Sequence, residues 1–177
     1  MSTTTIRVTS THHVAVRFDC PADMVWRDIV EGIGHGRQFE MQGYRVEPLA
    51  DDPRAYIGGY RMWREHADDP DERQMFISER DERARQLSLC AYYFGAQARG
   101  TVVNATYSAV PEGASCWYRI DCHGTYDLEI AEGASPETVA AMIAASNIEM
   151  DRHLATSLEA RKAELEAVAG SLPPAGE

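Results

Sequence analysis

Residues 6 to 18 alternate without a break. Ile6, Val8, Ser10, His12, Val14, Val16 and Phe18 fall on one face, and Arg7, Thr9, Thr11, His13, Ala15, Arg17 and Asp19 on the other. Period two over this length predicts a strand with one buried face. Pro21 is placed as the first residue of a helix, where its missing N–H costs nothing. Met24, Val25, Ile29 and Trp26 give that helix an apolar side, Gly32, Gly34 and Gly36 break it, and a short second helix is expected near Arg37 to Met41. Strands follow at 43–49, 55–65, 73–81, 86–94, 100–110 and 115–130. Turn residues at Asp51-Asp52-Pro53, Ala67 to Asp71 and Pro111-Glu112-Gly113 separate some of them.

The last of these strands alternates best. Cys116, Tyr118, Ile120, Cys122, Gly124, Tyr126, Leu128 and Ile130 share its inner face. Leu87, Leu89, Ala91 and Tyr93 point inward from 86–94, and Thr101, Val103, Ala105 and Tyr107 from 100–110. A long helix closes the chain. Ser135 is its N-cap and Pro136 its first residue, with Glu137 near the positive helix end. Val139, Ile143, Met150, Leu154, Leu158, Leu165 and Val168 form its apolar stripe. Gly170 is the expected C-cap and Pro173-Pro174 prevent continuation. A single domain over residues 1–170 and a disordered tail at 171–177 are expected.

This order defines an α+β chain of about seven strands. An antiparallel sheet must bury one face, and the long helix carries the matching stripe. Twisted hairpin strands curl around such a helix. A curled sheet and one helix leave space between them, which predicts a cavity.

The order, over about residues 5 to 168, resembles the START/polyketide cyclase superfamily, also called the helix-grip or SRPBCC fold. Cys20-Pro21-Ala22-Asp23-Met24-Val25-Trp26 is similar to the Pro-x-x-x-Val-Trp opening of that family's first helix. The Gly-rich segment beyond it departs from the commonest pattern, with Phe39 the candidate for the aromatic usual there. The resemblance implies a curved antiparallel sheet around the C-terminal helix. It also implies one of several roles: lipid or hormone binding, aromatase/cyclase activity, or dehydration.

Composition narrows the partners. Net charge is -11, from 28 acidic and 17 basic residues. Phosphate contacts need clustered Lys and Arg, so nucleic acid and anionic membrane are not expected partners. Arg80, Arg83 and Arg85 are interrupted by Asp81 and Glu82 and read as a solvated strand end. No apolar run approaches the length of a membrane span, and Met1 to Thr5 does not read as a signal peptide. Cys20, Cys90, Cys116 and Cys122 form no Cys-x-x-Cys pair, which suggests reduced thiols and a cytoplasmic setting. A homodimer is left open.

The candidate chemistry lies on the inner faces. His12 suits general acid or base work, with a hydrogen-bonded core histidine as the alternative. His13 should face solvent. Tyr60, Tyr93, Tyr107, Tyr118 and Tyr126 offer ring surfaces and hydroxyl tips to a small aromatic or hydrophobic ligand, or serve as ordinary strand packing. Tyr107 joins His12 as a catalytic candidate. Asn147 and Met150 are candidate ligand contacts, and Asn147 and Asp151 lie beside the helix stripe. Arg61 and Arg64 lie on opposite faces of one strand, so one could reach the interior. His35 could sit near an entrance. Glu149 and His153 are one turn apart, but no third metal ligand is evident, so no metal or other cofactor is expected. The readings that remain are a binder of a small hydrophobic or aromatic molecule, a cyclase- or dehydratase-type enzyme on an aromatic or polyketide-like substrate, and a protein-interaction module.

Overall fold

A computed structural model describes residues 2–64, 72–95 and 100–171. The turn expected at Ala67 to Asp71 and the tail beyond Ser171 lie outside those residues. β1 (Thr3–Phe18) leads into helix α1 (Ala22–Asp28), a π-helical turn (Ile29–Gly34) and α2 (Arg37–Met41). Next come β2 (Arg45–Pro48), a 3-10 turn (Pro53–Ala55), β3 (Gly59–Trp63), β4 (Arg73–Asp81), β5 (Gln86–Tyr93), β6 (Val102–Glu112) and β7 (Ser115–Ala131). Helix α3 (Pro136–Ser171) follows.

The strands form one antiparallel sheet in the order β1-β7-β6-β5-β4-β3-β2. β1 and β7 pair continuously from Thr3↔Ala131 to Phe18↔Cys116. Burial alternates along both as their sequences require: Ser10, His12, Val16 and Phe18 are buried on β1, and Cys116, Tyr118, Ile120 and Gly124 on β7. A bulge between Ile77 and Glu79 bends β4.

Several boundaries differ from the sequence expectation, each for a local reason. Pro21 is the N-cap of α1 rather than its first residue. Its backbone is extended, and its carbonyl accepts from the Met24 and Val25 amides. Gly32 and Gly34 do not break the helix; the chain widens through them into a π turn, with the His35 amide donating to the Val30 carbonyl at 2.9 Å. β3 starts at Gly59 because Asp52 accepts from the Arg54 amide at 2.9 Å and holds residues 53–55 in a helical turn. Gly170 lies inside α3, which continues to Ser171.

Gly36 has φ +79°, and a Cβ there would meet Val46 Cγ1 at 2.8 Å and the Tyr60 ring at 3.2 Å. Both the left-handed backbone and the contact oppose a side chain. Gly36→Ala should therefore lose about 1–3 kcal/mol of stability, and an unchanged urea midpoint would contradict this account.

The stripe on α3 is rotated from the expected one. Leu158 and Leu165 are its buried residues, while Val168 is 52% exposed. At about 100° per residue, Ala169 falls about 20° from Leu158 on the helix wheel and Val168 about 80° away. Ala169 accordingly packs against the core and Val168 does not. The same arithmetic puts Asn147 and Asp151 on the centre line of the stripe and Met150, 45% exposed, on its flank.

Candidate functional site

The concave face of the sheet and α3 enclose a cavity of about 750 Å³. Its wall comes from His12 on β1, Tyr93 on β5, Ala105 and Tyr107 on β6, and Ile120, Cys122 and Gly124 on β7. Asn147, Met150 and Leu154 close it from α3. Exposed Asp127 and Glu129 stand at its rim. Small side chains leave the space open. Gly124 has no room for more, because a Cβ there would lie 2.8 Å from the Val102 carbonyl oxygen.

His12 is 5% exposed, and its Nδ1 lies 2.7 Å from Asp151 Oδ1. A carboxylate can only accept, so Nδ1 carries the hydrogen and the bond orients the ring. In the neutral imidazole this leaves the Nε2 lone pair free of that proton. Sequence reasoning put Asp151 near the cavity but did not pair it with His12, 139 positions away. The available signal was a pair of polar residues one turn apart, Asn147 and Asp151, on the centre line of a helix face that is apolar at Leu154, Leu158 and Leu165.

Tyr107 also lines the cavity. Burial, and then the neighbouring Tyr93 and Cys122, push its hydroxyl above the ordinary tyrosine range, so it stays protonated near neutrality. Burial likewise raises the Cys122 thiol, reinforced by Asp151 and Asp121. Tyr93 is in the wall, with the Arg73 guanidinium 4.8 Å from its ring centre. Tyr126, Asn147 and Met150 line the cavity as well. The Tyr126 hydroxyl and Asn147 Oδ1 are buried without a hydrogen-bond partner.

The structure does not bring Tyr60 and Tyr118 into this wall. Tyr60 is 3% exposed and donates to the Ile33 carbonyl at 2.7 Å, tying β3 to the π turn. Tyr118 packs against Phe18, with ring centres 5.6 Å apart. Both are core residues. Neither arginine of β3 and its end contributes: Arg61 pairs with Glu47 at 3.1 Å and stacks on Trp63, and Arg64 covers the Tyr44 ring. His35 is exposed beside Glu31, and His13 faces out to Asp121 at 2.6 Å. Glu149 and His153 are exposed, and no group of three metal-ligating side chains occurs among the described residues. No helix among them is long and apolar enough to cross a membrane.

Below the cavity, Arg161 of α3 reaches Asp28 at the end of α1. Its Nε donates to both carboxylate oxygens at 2.9 Å, and Nη2 bonds Oδ1 as well. The Asp28 side chain is only 9% exposed, and Arg161 also pairs with Glu164.

A seven-stranded antiparallel sheet curled around one long C-terminal helix, with short helices after the first strand, is the helix-grip fold. Solved structures sharing it include norcoclaurine synthase from Thalictrum flavum, at 17% identity and TM-score 0.56 over 94% of this chain and 89% of that one. The Zhui aromatase/cyclase from Streptomyces sp. R1128 is 20% identical, with TM-score 0.52 over 90% of this chain and 94% of that one. Ara h 8.0201 is 9% identical, with TM-score 0.59 over 93% of this chain and all of that one. No family profile matches the sequence, and no curated protein matches it.

Proposed function

We propose that the protein binds a small, mainly apolar or aromatic molecule in the cavity between sheet and α3. The observation that carries this reading is the cavity itself: about 750 Å³, within the size range of small-molecule sites, with a largely apolar wall and a few inward polar groups. Similarity to a synthase, a cyclase and Ara h 8.0201 on the same scaffold is consistent with a small-molecule role. Native mass spectrometry of the purified protein, followed by denaturing extraction, tests it directly. A stoichiometric apolar or aromatic molecule is expected. A protein that neither retains nor takes up any such molecule overturns the reading.

A second reading, proton-transfer catalysis on an aromatic or polyketide-like substrate, is favoured by the His12–Asp151 pair. The carboxylate holds Nδ1–H and fixes the ring, which leaves Nε2 to remove a proton from a molecule in the cavity. Tyr107, protonated, can donate a hydrogen bond to an oxygen that gains charge. On this reading His12→Ala lowers turnover by about 10²–10⁴-fold while ligand affinity falls far less. For a carrier, His12→Ala changes affinity alone, and no solvent deuterium enters the bound molecule.

A further inference from the structure

Two buried polar atoms among the described residues have no partner, the Tyr126 hydroxyl and Asn147 Oδ1, and both residues line the same cavity. Leaving a buried polar group unpaired is costly, and native structures rarely tolerate it without a reason. The two come from different elements, β7 and α3, so neither is explained by a local turn. Asn147 also interrupts the centre of the α3 stripe, where an apolar residue would pack without cost. Meanwhile the rim carries Asp127 and Glu129, and Asp151 sits against His12. Among the described residues no lysine or arginine lines the cavity, and at the rim Arg7 pairs with Asp127 at 2.6 Å.

Resting on the binding reading above, we propose that Tyr126 and Asn147 form a subsite for a neutral hydroxyl group, so that the ligand is a hydroxylated aromatic or alcohol and not a carboxylate. A hydroxyl has both functions needed: its O–H donates to the Asn147 amide oxygen, and its oxygen accepts from the Tyr126 O–H. An ether or ketone can accept from Tyr126 but leaves Asn147 unsatisfied. A carboxylate can likewise only accept, so it too leaves Asn147 unsatisfied, and it carries its charge into a largely apolar wall.

The test compares 2-naphthol, 2-methoxynaphthalene, naphthalene and 2-naphthoate by titration calorimetry on the full-length chain at neutral pH. The parallel variants are Tyr126→Phe and Asn147→Leu. In the native protein 2-naphthol is expected to bind about tenfold tighter than the methyl ether, and naphthoate more weakly than either. Asn147→Leu should abolish the preference over the ether, and Tyr126→Phe should weaken the naphthol and the ether together while sparing naphthalene. Both variants remove an unpaired buried atom, so their melting temperatures should stay level or rise, which separates a lost subsite from a lost fold. Equal binding of naphthol, ether and hydrocarbon, or a preference that survives both substitutions, overturns the subsite and leaves the cavity reading standing. If none of the four binds, the subsite falls, and the cavity reading is decided separately by the native mass spectrometry above.

Discussion

Arg161→Met should destabilise the protein by about 3 kcal/mol, a drop in melting temperature of roughly 6–12 °C. The reason is the partner left behind. Asp28 is 9% exposed and receives a forked set of hydrogen bonds from the guanidinium. Removing the cation leaves a carboxylate desolvated and unpaired, which costs more than the ion pair itself contributes. Replacing both partners, Asp28→Leu with Arg161→Met, should therefore recover part of the loss. A double variant worse than the sum of the singles would show that the pair is not held by this exchange of desolvation against charge.

Alkali should unfold this protein unusually steeply. Tyr60 and Tyr118 are each 3% exposed, and burial raises both hydroxyls above the ordinary value of 10. Below pH 10 both are protonated in either state, and their contribution is fully present. Above pH 10 the unfolded chain ionises them while the folded chain does not, so stability falls as pH rises toward the folded values. Two such groups remove about 3 kcal/mol per pH unit. Tyr107 is shifted the same way but faces the cavity, where water can reach it, so its share is smaller. Lys162 is the chain's single lysine, which leaves the window comparatively clear of ammonium titration. Denaturant melts between pH 8 and 11.5 measure the slope. Tyr118→Phe should reduce it by about one proton, and an unchanged slope in that variant would refute the assignment.

Alternation in β1 and β7 was legible because every second residue must choose between core and solvent, and a strand paired over its whole length enforces that choice sixteen times. Tyr107, Tyr93 and His12 reached the cavity wall for the same reason. Tyr60 and Tyr118 share the inner face too, yet lie where the sheet meets other residues instead of open space. Period two tells which face a residue takes, and cannot tell where along that face the filling stops. That depends on Ile33 meeting Tyr60 and Phe18 meeting Tyr118, contacts between distant parts of the chain. The start of β3 was misplaced because an aspartate side chain substitutes for backbone pairing at Arg54. The His12–Asp151 pair needed both a strand register and a helix rotation, and the rotation was misread by one residue at Val168.

α3 is about 54 Å long at 1.5 Å per residue, and its most buried attachments lie in its second half: Leu158, Arg161 and Leu165. Held most firmly there, it has the mechanics of a cantilever, with a long overhang toward Pro136. The His12–Asp151 bond then works as a light latch partway along the beam. A guest can be admitted by bending the rod a little, with the sheet undisturbed. Exchange of the guest would then follow the stiffness of one helix, not the stability of the whole molecule.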